Sequence, residues 1–324
     1  MPPRIAITGA SGFIGTNMAR FYIDKGIDII NLDIAPPVDS SQQKWWRKTD
    51  VLNFTELENA ISDFAPTHLI HLAARTDLNE TKNISQYAVN IEGVKNVIEV
   101  LNVYGKITRV IFTSSMLVCE RGYLHRDANA YKPSTLYGKS KMLGEKLVKG
   151  SNENSFEWVI VRPASIWGPW FGEPYRNFFD IVIEGKYVHP GKRSCSKTFG
   201  YVKNVVYQMN ELLFSGRGEV NQGTFYLGDY TPVNISEWAD EIAEVLGQKS
   251  FKHVPFIAFK VAARAGDILK RMGFKTFPMT SFRLKNMTED NIVDVSGIRE
   301  IAPSLPYSME AGIKETLEWL GKLK

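Results

Sequence analysis

The chain has 324 residues, 44% apolar and 23% charged, with a formal net charge of +4. That is enough for one large or two modest globular domains, and a charge so mild, without a block of five or more like charges, gives no indication of a nucleic-acid partner. Two distant cysteines, Cys119 and Cys195, exclude a disulfide framework. No uncharged apolar run approaches the ~20 residues of a membrane span, and the opening MPPRIAITGA lacks the apolar core of a signal peptide, so a cytoplasmic protein is expected.

Short apolar runs read as strands in chain order: RIAIT, IDIINLD, HLIHLAA, TRVIFTSS and, at 156–163, FEWVIVRP. Between some of them lie helix-period stretches, such as Val89, Val94, Val97, Ile98 and Leu101. Strand, helix, strand in succession predicts an α/β, Rossmann-like doubly wound parallel sheet. After Pro163 the chain turns rich in Pro, Gly and aromatics. KTFGYVKNVVYQM (197–209) and TFYLGD (224–229) return to strand and helix, and the remainder is mostly helical. The expected division is a sheet domain at 1–165 with returning segments near 197–229. A smaller, mostly helical lobe is expected from 166–196 and 230–324.

Residues 5–15, IAITGASGFIG, place Gly9, Gly12 and Gly15 three apart after the first strand. A strand turning sharply into a helix presents unpaired amides and the positive end of a dipole, which suits a pyrophosphate. Three glycines alone also suit a plain turn. Asp33, ending IINLD 18 residues beyond Gly15, favours the first reading, because an acid there can accept hydrogen bonds from an adenosine ribose and repels a 2′-phosphate. NAD is thus favoured over NADP. The other reading of Asp33 is a solvated turn residue.

YGKSK supplies Tyr137 and Lys141, four apart and so on one helix face. Upstream, FTSSML ends a predicted strand, where ligands bind in open α/β sheets. A Ser–Tyr–Lys trio there has a use in proton transfer. A free phenol, with a pKa of about 10, is too weakly acidic to act as a base, and a nearby ammonium and a cationic nicotinamide are both expected to lower it.

TGASGFIG, Asp33, HLAA, SS and YGKSK, in this order, resemble the extended short-chain dehydrogenase/reductase family, whose best-known members are NAD-dependent epimerases and dehydratases of nucleotide sugars. RPASIWGP (162–169), KTFGYVKNVV and PYSMEAGIKETLEWL resemble further family segments, so the likeness runs over almost the whole chain. It implies Tyr137 as the base, Lys141 as holder of the nicotinamide ribose and tuner of Tyr137, and Ser115 on the reacting hydroxyl. It places NAD against Gly9, Gly12, Phe13, Ile14, Gly15, Asp33, Asp50, Val51, Leu72, Ala73, Ala74, Asn90, Tyr137, Lys141 and Pro163. Substrate contacts are implied at Ser114, Ser165, Asn177, Lys197 and Arg283, the last two as diphosphate cations, with Lys192 and Arg193 as nearby alternatives.

Departures from the family pattern narrow the reaction. Met116 and Leu117 stand where nucleotide-sugar dehydratases place Asp-Glu, and Met116 where the fucose-synthase branch has a reactive cysteine. Neither transfers protons, so dehydration and ring-carbon epimerisation of that type are disfavoured. The expected activity is C4 epimerisation of a nucleoside-diphosphate sugar through a transient ketone. The alternatives are a reductase or dehydrogenase of a keto-sugar nucleotide or steroid-like alcohol, and a non-enzymatic dinucleotide-binding protein. VCE (118–120), Ser165 and Trp167 replace usual family residues around the substrate. Cys119 reads as a packed strand-end residue and His71 as a core histidine; with His68, His125, His189 and His253 scattered, no metal is expected. A homodimer is expected from the resemblance. The basic amphipathic stretch 254–275 could lie on an acidic membrane, but the expectation is a helix packed on the smaller lobe, without membrane contact.

Overall fold

The structure is a computed structural model. It describes residues 2–323 except 121, 123–126, 152–153, 174, 192–194 and 273–279, and it excludes the side chains at 271, 282, 283 and 286. His125, Lys192, Arg193 and the side chain of Arg283 therefore lie outside the described residues.

Six predicted strands and a seventh, Trp46–Lys48, that the apolar pattern did not reveal form one parallel sheet. In chain order they are β1 (Arg4–Thr8), β2 (Asp28–Asp33), β3 (Trp46–Lys48), β4 (His68–His71), β5 (Arg109–Thr113), β6 (Glu157–Pro163) and a last strand, Thr224–Leu227. Their spatial order is Thr224–Leu227, β6, β5, β4, β1, β2, β3, and every pairing is parallel. The order reverses at β1, where β2 and β4 flank it on opposite sides. Such a reversal opens a crevice at the carboxyl ends of the strands.

Both faces of the sheet are covered, which is why its strands read as nearly continuous apolar runs. On one face Ala6, Leu69, Val110, Phe112 and Ile160 pack with Leu57 and Ile61 of α2 (Phe54–Phe64), Val97 and Leu101 of α3 (Ala88–Tyr104) and Val148 of α4 (Leu136–Gly150). Ile5, Ile7, Ile70, Ile111 and Val159 alternate with these and are also fully buried. The helix Val202–Phe214 packs on β5 and β6 and against α1 (Phe13–Asp24).

The chain divides into two compact units. The first comprises residues 1–170, 200–230 and 294–307, and the second 171–199, 231–293 and 308–324. The 294–307 segment differs from the sequence expectation, which left it in the smaller lobe. Distant polar contacts hold it to the sheet unit. Asn204 accepts from the Tyr307 amide at 3.1 Å and donates to the Tyr307 carbonyl at 3.0 Å. The Tyr230 hydroxyl donates to the Ala302 carbonyl.

The second unit is mostly helical, and its aromatics form a cluster: Phe178 stacks on Trp238 at 4.9 Å, and Phe199 meets the same ring at 4.6 Å. Its helix Phe256–Arg271 buries Phe259 and Ala263 against Leu284, as expected for packing on the smaller lobe. Among the described residues no helix is long and apolar enough to cross a membrane.

Candidate active site

The glycine turn is built by close approach. Gly9 has φ +73°, in the region L side chains avoid, and a Cβ on it would stand 2.5 Å from the Ala73 amide nitrogen. A Cβ on Gly15 would lie 2.4 Å from the Gly9 carbonyl oxygen, so α1 can seat on the turn only as glycine. Gly12 differs. It is exposed, and a Cβ there would meet only the Gly9 oxygen, at 3.4 Å. Gly12 is the N-cap of α1 with no side-chain cap, and the first turn holds no acid. The helix thus points its positive end out of the turn with no side-chain cap or acid before it, a cradle that fits a dinucleotide diphosphate.

Asp33, at the carboxyl end of β2, accepts from the Ser11 amide through Oδ2 and from the Ala35 amide through Oδ1, both at 3.0 Å. It is therefore oriented by the glycine turn, and each oxygen keeps a lone pair for a ribose hydroxyl. Leu72 and Ala73 lie beneath the turn, their amides donating to the Thr8 carbonyl and hydroxyl at 3.0 and 3.3 Å; Ala74 follows. Phe13 and Ile14 open α1, half-buried. Val51 is buried where Gly93 of α3 passes, and the Asp50 carboxylate caps its own turn through the Leu52 amide at 2.9 Å. Pro163 ends β6 opposite Leu227.

Asn90, expected at the cofactor, is 1% exposed and engaged by the protein. Its amide nitrogen donates to the Arg75 carbonyl at 2.9 Å and to Ser140 Oγ at 2.8 Å. Its oxygen accepts from the Arg75 amide at 2.8 Å. Both amide protons are used, so Asn90 ties the segment after β4 to α4.

Ser115, Tyr137 and Lys141 come together at the carboxyl end of β5. Ser115 caps a short turn, its Oγ accepting from the Leu117 amide at 3.2 Å, and its side chain is the neighbour that lowers the Tyr137 phenol. Thr135 caps α4 by accepting from the Gly138 amide at 3.0 Å, which places Tyr137 in the first turn. Lys141, one turn on, donates from Nζ to the Thr113 carbonyl at 2.9 Å.

The charge balance departs from the expectation. Burial pushes the Tyr137 phenol up to about 12, against a smaller lowering by the Ser115 hydrogen bond. The Lys141 ammonium is not among the groups that move it; one of its N–H groups goes to the Thr113 carbonyl. Lys141 itself is brought down to about 8 by burial, opposed by Glu145. The protein alone therefore holds the phenol protonated near neutrality.

Ser114, expected at the substrate, turns inward. Its hydroxyl donates to Glu145 Oε1 at 2.5 Å. Glu145 also takes Arg162 through both oxygens, from Nε at 2.8 Å and Nη2 at 2.7 Å, and the Tyr131 hydroxyl at 2.8 Å. The Arg162 and Glu145 side chains are 0% and 2% exposed. This buried pair fixes β6, α4 and the Ser114–Ser115 turn together. Sequence reasoning missed it, although Glu145 follows Tyr137 and Lys141 at the same spacing of four. It also passed over Gly138, inside YGKSK. A cavity of about 20 Å³, lined by His71, Thr113, Ser114, Lys141 and Glu145, has room for about one water.

Ser165 is a buried residue of the first unit. Asn177, on the helix Tyr175–Ile183, Lys197, buried beside Val233, and the backbone of Arg283 belong to the second. Cys119 is buried, its thiol donating to the Ala130 carbonyl at 3.1 Å. His71 bonds the Thr8 hydroxyl at 2.8 Å, and burial holds its ring down at about 3 and so neutral. Among the described residues no group of three or more His, Cys, Asp or Glu side chains could hold a metal.

A family model described as "NAD dependent epimerase/dehydratase family" matches residues 5–225. The N-acetyl-alpha-D-glucosaminyl-diphospho-ditrans,octacis-undecaprenol 4-epimerase of Escherichia coli O157:H7 is 26% identical over 98% of this chain and 96% of its own length. A 3-beta-hydroxysteroid dehydrogenase of Mycolicibacterium neoaurum is 26% identical over 76% of this chain and 71% of its own. Among solved structures, a UDP-glucose 4-epimerase of Thermotoga maritima with UDP-glucose superposes with a TM-score of 0.76 at 20% identity, covering 98% of this chain and 99% of that one.

Proposed function

This chain belongs to the NAD-dependent epimerase/dehydratase family, and from that premise we propose that it inverts C4 of a sugar carried on a nucleoside diphosphate. The observation behind the reading is that Ser115, Tyr137 and Lys141 come together at the carboxyl end of β5, Lys141 on the Thr113 carbonyl at 2.9 Å, with Met116 and Leu117 following Ser115 in sequence. That is one acid/base pair for an alcohol and none for expelling water.

In this reading a bound cationic nicotinamide would lower the Tyr137 phenol, whose oxygen, once ionised, would take the C4 hydroxyl proton and later return it, while Ser115 holds the substrate oxygen. NAD, when bound, would supply the acceptor for the hydride of that carbon and the donor for its return to the other face. Lys141 Nζ, seated on the Thr113 carbonyl, has two more N–H groups to offer the nicotinamide ribose. Gly9, Gly12 and Gly15 cradle the diphosphate of the cofactor, and Asp33 holds the adenosine ribose. Ser165, Asn177, Lys197 and Arg283 are the proposed substrate contacts, and a cytoplasmic homodimer completes the reading.

The full-length likeness to an enzyme named for a polyprenol-diphosphate sugar supports a sugar diphosphate as the shared chemistry. The steroid dehydrogenase likeness favours the second reading, net oxidation of an alcohol. The test is purified enzyme without added cofactor, given UDP-glucose, UDP-N-acetylglucosamine and undecaprenyl-diphosphate N-acetylglucosamine, with epimers separated by chromatography. Epimer formation without net NADH supports the proposal. Net NADH from these or from a hydroxysteroid once NAD is added moves it to the second reading. Bound NAD with no turnover makes the chain a dinucleotide-binding protein.

A further inference from the structure

The helix Phe256–Arg271 of the second unit has two apolar faces. One is buried through Phe259 and Ala263. On the other, Ile257 is 67% exposed, Val261 62%, Ile268 57% and Met272, just past the helix end, 68%. Steps of four, seven and four keep these residues on one stripe of an α-helix, about 22 Å long. Lys260 and Arg264, both exposed, fall along one flank of that stripe by the same periodicity. By sequence the helix carries four Lys or Arg against one acid, Asp267, which accepts from the Ser281 amide at 3.1 Å.

Scattered exposed apolar residues need no explanation, but a continuous stripe flanked by cations does. We propose that this outer face docks on an anionic lipid bilayer, the apolar stripe entering the acyl boundary and Lys260 and Arg264 meeting lipid phosphates. A second copy of the chain is the poorer occupant. Pairing the same face with itself brings like charges together, whereas an anionic headgroup layer complements them. The proposal does not depend on the epimerase reading, because its test involves no turnover.

The test is co-sedimentation of the full chain with vesicles of equal parts phosphatidylglycerol and phosphatidylcholine, against phosphatidylcholine alone. Binding is expected on the anionic vesicles, weakening as salt rises. Lys260→Glu with Arg264→Glu should weaken it at least about 25-fold, since each cation near such a surface is worth roughly fivefold. Ile257→Ser with Ile268→Ser should weaken it at least about tenfold. All four side chains are exposed, so unfolding midpoints should not change. Equal partitioning to both vesicle types, or variants that bind as the wild type does, overturns the proposal. So does wild-type self-association in sedimentation velocity that Ile257→Ser with Ile268→Ser abolishes, which would make a second copy the occupant.

Discussion

The α-carbon of Gly138 faces the carbonyl of Leu117 so closely that a Cβ would stand 2.1 Å from the oxygen. This contact sets the first turn of α4 against the turn capped by Ser115, and so sets Tyr137 beside Ser115. Gly138→Ala must push the two apart. We expect a loss of about 1–3 kcal/mol in stability from overpacking and about 100-fold in turnover from misplacement. Gly150→Ala, in the same helix with nothing within 4 Å of the new Cβ, should stay within about 0.5 kcal/mol of wild type. Urea unfolding and kcat of both variants check the pair of outcomes.

Tyr137→Phe removes the proton carrier and keeps the ring that packs 6.2 Å from Tyr87. Turnover should fall at least about 100-fold, while NAD still binds by fluorescence titration. Near-normal turnover would remove the acid/base role.

Asp33→Ala strips the acceptors from the Ser11 and Ala35 amides and the charge that repels a 2′-phosphate. The ratio of NAD to NADP affinity should move toward NADP. An unchanged ratio would place Asp33 away from the ribose.

The Arg162–Glu145 pair is fully buried, so removing one partner strands the other. Arg162→Met or Glu145→Leu alone should cost about 3–5 kcal/mol. The double variant should cost less than the sum, because neither charge is left alone. A double-mutant cycle by urea unfolding measures the coupling; additive costs would show that the two groups do not depend on each other.

Lys141 gives a pH signature. Its pKa is about 8 in the fold against an ordinary 10.5, so between these values the unfolded chain holds more protons and stability rises with pH. Below pH 8 both states are protonated and the burial cost is carried in full. Relative to Lys141→Met, the wild type should gain roughly 3 kcal/mol between pH 8 and 10.5, at 1.36 kcal/mol per unit. A constant difference across that window would mean Nζ titrates as in water.

The sequence alone carried the strands of the parallel sheet except the edge strand β3, and it placed Ser115, Tyr137 and Lys141 as a trio, because both are local patterns. Burial on two faces makes unbroken apolar runs, and a spacing of four puts two side chains on one helix face. It did not carry the partners of buried polar groups. Asn90 turns to Arg75 and Ser140, Ser114 to Glu145, and residues 294–307 to Asn204 and Tyr230. The sequence reading expects Lys141 and a cationic nicotinamide together to ease Tyr137 toward ionisation, and in the protein alone burial raises it. A hydrogen bond or a desolvation cost depends on which distant residues close around a group, and that is decided only when the sheet, the helices and their glycine contacts have packed.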